Sequence, residues 1–143
     1  NKQASEELWR GGYLHTGDVG RFDDFGRLLI TDRIKDVVKS GGEWISSLTL
    51  ESLVSSCDDV AEVAAIAVPD VKWGERPLLL VVPVNAAASD RLDAAIRQLL
   101  KAEIAAGRLS KWAMPERIEI VAEIPKTSVG KLDKKVMRQR YAP

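Results

Sequence analysis

Apolar residues recur along this chain with the spacing of helices in several segments. Apolar side chains at i, i+3, i+4 and i+7 predict a helix over Leu48–Ser56, with Ser47 as its N-cap. A longer stretch with the same period follows Ser89, which we predict to cap a second helix that ends at Gly107. A basic helix over Asp133–Arg140 closes the chain.

Other segments have the pattern of β-strands. Continuous apolar runs at Val60–Val68 and Leu78–Val84 predict two buried strands, joined by a connector over Pro69–Pro77. Alternation between Ile118 and Ile124 predicts a half-buried strand. Shorter strands are predicted at Arg27–Thr31, after a turn at residues 23–26, and at Val37–Lys39. Residues 1–12 have no clear period. This order of elements predicts an α+β fold, a small sheet flanked by helices.

Length and composition limit the classes of protein that this chain can be. With 143 residues, 45% of them hydrophobic, it can form the core of one domain. Its single cysteine, Cys57, excludes an internal disulfide framework, and its position on an apolar helix face indicates a core residue. No apolar run has the length of a transmembrane segment, so we expect a cytoplasmic protein. The chain begins at Asn1 without a signal-peptide pattern, and we expect it to be part of a longer polypeptide.

Charge is balanced over the whole chain but not along it. Lysine and arginine total 21, as do aspartate and glutamate. A neutral chain argues against a nucleic-acid partner. Six basic residues and one acid lie between Lys126 and Arg140, however, and this tail fits either a phosphate partner or a solvated helix face.

Three polar segments carry candidate chemistry. In the first, residues 13–18, Asp18 follows a Thr-Gly turn, where a carboxylate can accept hydrogen bonds from a vicinal diol. In the second, residues 31–42, alternating charges lead into Gly41-Gly42. The third, residues 125–131, ends in Gly-Lys but lacks the first glycine of a phosphate-binding P-loop.

In this order and spacing, the three segments resemble the adenylate-forming superfamily of acyl-CoA synthetases, peptide-synthetase adenylation domains and luciferases. The Gly-Gly-Glu-Trp-Ile-Ser-Ser run at residues 41–47 looks like the fatty acyl-CoA synthetase branch. The resemblance implies that residues 1–33 are the end of a large N-terminal adenylation domain, contributing a short β segment. Residues 34–143 would then be a mobile C-terminal lid, whose partner is the missing N-terminal domain. Without that domain, Leu28–Ile30 are expected to lack their usual cover.

The resemblance also implies a role for individual residues. Lys131 matches the catalytic lysine that bridges the carboxylate substrate and the α-phosphate during adenylation, and Lys35 matches the hinge. Asp18 and Arg33 would hold the nucleotide ribose, and Gly41, Gly42, Glu43 and Trp44 would form the face used for thioester formation. The substrates implied are ATP, with Mg²⁺ bound through it, and CoA; no residue is assigned to a metal site.

The function implied is that of an ATP-dependent, AMP-forming fatty acyl-CoA synthetase for medium- or long-chain acids. That enzyme is an acid–thiol ligase, and the present chain alone is expected to be inactive. Two alternatives stay open: an aryl-CoA ligase or peptide-synthetase adenylation domain, and a non-catalytic module that binds CoA or a partner protein. The sequence does not indicate an oligomeric state. Trp73–Pro77 and Trp112 are interpreted as packing residues.

Overall fold

The computed structural model describes residues 1–142, which form two compact units. The first unit spans Asn1–Lys35, and the second begins at Asp36 and continues to the end of the chain.

The first unit is a β-hairpin preceded by a short helix. Helix α1 (Lys2–Leu8) and a 3-10 turn (Arg10–Gly12) are followed by the antiparallel strands β1 (Asp18–Phe22) and β2 (Leu28–Arg33). All residues of α1 are exposed, which explains why the sequence shows no apolar period there. The side chains of Leu28–Ile30 are exposed too.

The turn between β1 and β2 is held by a single carboxylate. Asp23 accepts hydrogen bonds from the backbone amides of Phe25 and Arg27, both at 2.9 Å. The bond from the Arg27 amide is the main reason why the pKa of Asp23 lies below its usual value. Gly26 closes the turn with a φ of 75°, a backbone conformation that glycine adopts readily. The predicted turn is confirmed.

The second unit is a five-stranded mixed sheet with helices on both faces, which confirms the α+β class. Strand order is β4-β3-β6-β5, and β7 pairs with β6 in the parallel direction. In chain order the elements are β3 (Val38–Ser40), β4 (Glu43–Ile45), α2 (Ser47–Val54), β5 (Val60–Asp70), β6 (Gly74–Pro83), α3 (Ala86–Ala105), a 3-10 turn (Lys111–Ala113), β7 (Arg117–Ile120) and α4 (Lys134–Tyr141).

Alternate residues of β5 and β6 enter two separate hydrophobic clusters, one on each face of the sheet. Val63 of β5 belongs to the cluster that contains Leu50 of α2 and Leu92 of α3. Ile66 belongs to the opposite cluster, with Met137 of α4. Burial on both faces explains why these strands have continuous apolar runs. Each fully buried leucine or isoleucine contributes about 1.5–3 kcal/mol.

Cys57 lies at the edge of the first cluster, just after α2. It is half-buried and packs against the core, in agreement with its interpretation as a core residue. Desolvation, aided by the nearby charges of Asp58 and Asp59, raises the pKa of its thiol. A thiol of this kind is largely protonated at neutral pH and therefore a poor nucleophile.

Both predicted N-caps are wrong. Ser46 caps α2 by accepting the backbone N–H three residues further on at 3.1 Å, and Ser47 lies inside the helix. Asn85 rather than Ser89 caps α3, again at 3.1 Å. Serine and asparagine are comparable N-caps, and the alanines that follow Asn85 favour helix strongly, so α3 begins earlier than its apolar period.

The strands also differ in length from the predictions. Strand β5 continues to Asp70 and β6 begins at Gly74, so the predicted connector over Pro69–Pro77 is wrong and only three residues form the turn. Pro69 is tolerated because β5 is an edge strand. Strand β7 ends at Ile120, short of the predicted Ile124, where its pairing with β6 ends.

Candidate functional site

The two residues assigned to the ribose lie opposite one another in the first unit. Asp18 and Arg33 are partners in the register of β1 and β2, and Arg33 Nε lies 3.3 Å from Asp18 Oδ1. The Asp18 amide donates to the Thr16 hydroxyl at 3.3 Å. Asp18 is half-buried and Arg33 is exposed. A vicinal diol could donate to the carboxylate and accept from the guanidinium at this position.

Lys35, the predicted hinge, is exposed and is the last residue of the first unit. Its neighbour Asp36 begins the second unit, where its Oδ1 lies 3.1 Å from Arg138 Nη1 on α4. An ion pair therefore holds the start of the second unit to its last helix.

The glycine pair makes the turn between β3 and β4. Gly41 and Gly42 have φ values of 59° and 85°, in the left-handed region that favours glycine. A Cβ atom on Gly41 would lie 2.5 Å from the indole ring of Trp112, so the loop backbone lies directly against that ring. Beyond the loop, Glu43 is exposed and so is Trp44, at 58% of its surface. The loop can therefore present two exposed side chains and a closely packed backbone to a ligand.

Behind this loop lies a cluster that sequence reasoning treated as ordinary packing. The Gly41 amide donates to the carbonyl of Trp73 at 3.1 Å, and the rings of Trp73 and Trp112 have centroids 4.5 Å apart. Arg76 contacts Ser40, next to the loop, and also Trp112 in the segment that leads to β7, which we call the Trp112 segment. No local spacing could have indicated this arrangement, because Arg76 and Trp112 are far apart in the sequence.

The loop that carries Lys131 is a closed polar turn at the start of α4. The Thr127 amide donates to the Lys131 carbonyl at 2.7 Å, and the Lys131 amide donates to the Thr127 hydroxyl at 3.2 Å. Lys126 at the base of the loop pairs with Glu62 of β5 at 2.7 Å. The backbone of the loop and the side chain of Lys126 are thus held in place, while the Lys131 side chain is exposed.

Lys131 also differs from the cations around it. Lys134 lies 2.7 Å from Glu51 and donates to the Ser47 hydroxyl at 2.8 Å, and its side chain is only 11% exposed. Among residues 1–142, by contrast, the Lys131 ammonium has no carboxylate within ion-pair distance. Its charge is available to an anionic ligand. Of the tail residues that could meet phosphates, Lys135 and Arg140 are exposed as well.

The loop formed by Gly41 and Gly42, which we call the glycine loop, and the Lys131 loop lie at opposite ends of the sheet. Ser40, next to the glycine pair, is the register partner of Gly74 at the start of β6. Glu62, which anchors the Lys131 loop, is the partner of Val82 near the end of β6. Eight residues of strand separate these points, or about 26 Å.

Two further kinds of site are not found in the described part of the chain. Residues 1–142 contain no group of three or more His, Cys, Asp or Glu side chains that could hold a metal ion. None of the helices in the same range has the length and hydrophobicity needed to cross a membrane.

Comparison with known proteins gives consistent matches. A family model described as the AMP-binding enzyme C-terminal domain matches residues 49–131. A long-chain-fatty-acid–CoA ligase of Thermus thermophilus is 41% identical over 143 residues, which cover 99% of this chain and 25% of that protein. A 2-succinylbenzoate–CoA ligase of Listeria monocytogenes is 34% identical over 99% of this chain and 28% of that protein.

A solved structure extends the similarity to the fold. The anthranilate CoA ligase in complex with anthranoyl-AMP superposes with a TM-score of 0.83 at 27% identity, over 99% of this chain and 27% of that one. The present chain spans about a quarter of the length of the curated relatives it matches.

Proposed function

Because this chain belongs to the family of AMP-binding enzyme C-terminal domains, as its motifs led us to expect, we propose that it is the C-terminal part of an ATP-dependent, AMP-forming acyl-CoA synthetase. The observation that carries this proposal is the Lys131 ammonium, exposed on a fixed loop and unpaired among residues 1–142, while Lys126 and Lys134 on either side are neutralised.

The proposed role of Lys131 follows from the charges of the reactants. Adenylation brings a carboxylate against the α-phosphate of ATP, which enters as its Mg²⁺ complex, and the two anions repel each other. A flexible ammonium with three donors can contact both at once, which the planar fork of arginine does less well. At 4 Å, one such charge pair amounts to about 4 kcal/mol at an effective dielectric constant near 20.

The other residues divide between the two half-reactions. We assign the ribose hydroxyls to Asp18 and Arg33, whose side chains already face each other. We assign the thioester-forming step with CoA to Gly41, Gly42, Glu43 and Trp44, and the pivot between the two steps to Lys35. In this proposal residues 1–33 complete the large N-terminal domain and residues 34–143 form the moving lid.

For the acid substrate we propose a medium- or long-chain fatty acid. The run Gly-Gly-Glu-Trp-Ile-Ser-Ser at residues 41–47 and the similarity to the Thermus fatty-acid ligase support this choice. The acyl pocket would belong to the N-terminal domain, so the 143-residue chain alone is expected to be inactive. A reaction that consumes ATP and CoA would take place in the cytoplasm.

The test is Lys131→Ala in the full-length enzyme, with each half-reaction measured separately. Loss of one preorganised electrostatic contact typically lowers a rate by about 10²–10³-fold. We therefore expect pyrophosphate release from laurate and ATP to fall by that factor, while transfer of the acyl group from supplied lauroyl-AMP to CoA is unchanged. Lys101→Ala is the matched control, because Lys101 is also an exposed lysine, lies on α3 and has no assigned role. An equal loss in both steps, or no loss of adenylation, contradicts the role of Lys131.

A further inference from the structure

We propose that Arg76 is a positioning residue for the thioester-forming step, because it holds the Gly41–Gly42 loop and the Trp112 segment together. This inference rests on the proposed function of the glycine loop, but the contacts that carry it are independent of that function.

The guanidinium of Arg76 connects two separate parts of the second unit. Its Nη1 donates to the Ser40 hydroxyl at 3.2 Å and to the Trp112 carbonyl at 3.4 Å. Its Nη2 donates to the Met114 carbonyl at 2.8 Å. Ser40 is the residue before the glycine pair, and Trp112 and Met114 lie in the segment that leads to β7. One side chain therefore fixes the distance between the loop and this segment.

Arg76 occupies a largely buried position, and burial makes its contacts costly to lose. Its side chain is only 13% exposed. Nε is buried and makes no hydrogen bond to any residue that the structure describes, although the carboxylate of Glu116 lies 3.6 Å away. A buried charge needs its partners, and removing the guanidinium would leave the carbonyls of Trp112 and Met114 without these donors.

The glycine loop depends on where Trp112 lies. Because a Cβ atom on Gly41 would be 2.5 Å from the Trp112 ring, that ring forms the floor of the loop. The guanidinium carbon of Arg76 lies 6.0 Å from the centre of the same ring. A shift of Trp112 would therefore move the loop that presents Glu43 and Trp44. Arg76 would act through Trp112 and Ser40, which is why we call it a positioning residue.

Lysine cannot reproduce this arrangement. The guanidinium has five donors in a rigid fork, whereas an ammonium is a single point with three donors. A lysine at position 76 can keep the charge and one of the contacts, but it cannot bridge Ser40 and Met114. Arg76→Lys is therefore expected to be intermediate between the native enzyme and Arg76→Met.

The experiment measures both half-reactions in full-length Arg76→Met and Arg76→Lys. Misplacement of a binding element by about 1 Å can cost up to about 100-fold in rate. We expect Arg76→Met to slow acyl transfer from lauroyl-AMP to CoA by about 10–100-fold and to raise the KM for CoA, with pyrophosphate release within about 2-fold of native. Arg91→Met is the matched control, because Arg91 is an exposed arginine that pairs with Asp59 elsewhere in the unit.

A second variant keeps the test valid if Arg76→Met does not fold. Ser40→Ala removes only the hydroxyl that accepts from Arg76, and it should slow the same step by a smaller factor. Unchanged acyl transfer in folded variants, or an equal loss in both half-reactions, would overturn the positioning role. Failure of the proposed function would show differently, as unaltered adenylation in Lys131→Ala.

Discussion

Gly41 and Gly42 are neighbours with the same left-handed backbone but different surroundings. A Cβ atom on Gly41 would collide with the Trp112 ring, whereas no atom of the described residues 1–142 lies within 4 Å of a Cβ atom on Gly42. The two positions therefore separate backbone strain from steric overlap.

We expect Gly42→Ala to lower the free energy of unfolding of the chain by about 1–2 kcal/mol, the usual cost of a left-handed alanine. Gly41→Ala should lower it by a further 1–3 kcal/mol or so, because overlap with a packed ring adds to the strain. Urea unfolding followed by circular dichroism measures both values. Equal losses at the two positions would mean that Trp112 moves aside freely and does not constrain the loop.

Residue-level roles show where sequence reasoning reaches its limit. Lys131 could be singled out by its motif, but the absence of a carboxylate partner for its ammonium among residues 1–142 depends on where Glu62 and Glu51 lie in three dimensions. Arg76 lies in the Trp73–Pro77 run that we interpreted as packing, and its role as a bridge could not be predicted because its partners are 36 to 38 residues away in the sequence. A contact of that range depends on how the sheet and the following segment pack, which no local pattern contains.

Among the elements, helix α4 is held to the rest of the second unit by an ion pair as well as by the packing of Met137. Lys134 pairs with Glu51 of α2 at 2.7 Å, and both side chains are nearly buried, at 11% and 12% exposure. Glu51 also accepts the backbone amide of Ala65 at 2.8 Å. The pair therefore links α4, α2 and β5.

We expect Lys134→Met to lower the free energy of unfolding by about 3–5 kcal/mol, because it leaves the charge of Glu51 buried without its partner. The double variant Glu51→Gln/Lys134→Met should recover most of that loss, since the glutamine oxygen can still accept from Ala65. Lys135→Met, on the exposed side of the same helix, should change stability by less than about 0.5 kcal/mol. If the double variant is as unstable as the single one, the isolated charge is not the cause.

Elements differ in how well the sequence predicted them, for physical reasons. Strands β5 and β6 could be predicted because burial on both faces leaves a continuous apolar run. The starts of α2 and α3 could not, because several residues that cap equally well lie within a few positions of each other. Helix α1 and strand β4 have almost no buried residues, so neither leaves a pattern to detect.

At the scale of the molecule, the two candidate loops of the second unit cannot serve one point at the same time. About 26 Å of strand separates the anchor of the glycine loop from that of the Lys131 loop. In the proposed function, adenylation and thioester formation take place at the same acyl carbon. The second unit would therefore have to rotate between the two steps. We place the pivot of that rotation at the exposed Lys35, at the unit boundary.

Such a rotation requires the second unit to be stable by itself, and the packing of this unit indicates that it is stable. The buried residues of both hydrophobic clusters all come from the part of the chain that follows Asp36. The Asp36–Arg138 pair lies within the same unit. The first unit has one hairpin and a short exposed helix, and a two-stranded hairpin is marginally stable in water.

We therefore expect a protein of residues 36–143 to unfold in one cooperative thermal transition, within a few degrees of the midpoint of the 143-residue chain. A peptide of residues 1–35 should show no transition, since it has no core to bury. Circular dichroism with temperature tests both. In a Trp44→Phe background the tryptophan fluorescence of residues 36–143 comes from Trp73 and Trp112, and it reports whether the cluster behind the glycine loop stays packed. A non-cooperative transition for residues 36–143 would show that the second unit needs the first, and it would argue against a lid that moves as a rigid body about Lys35.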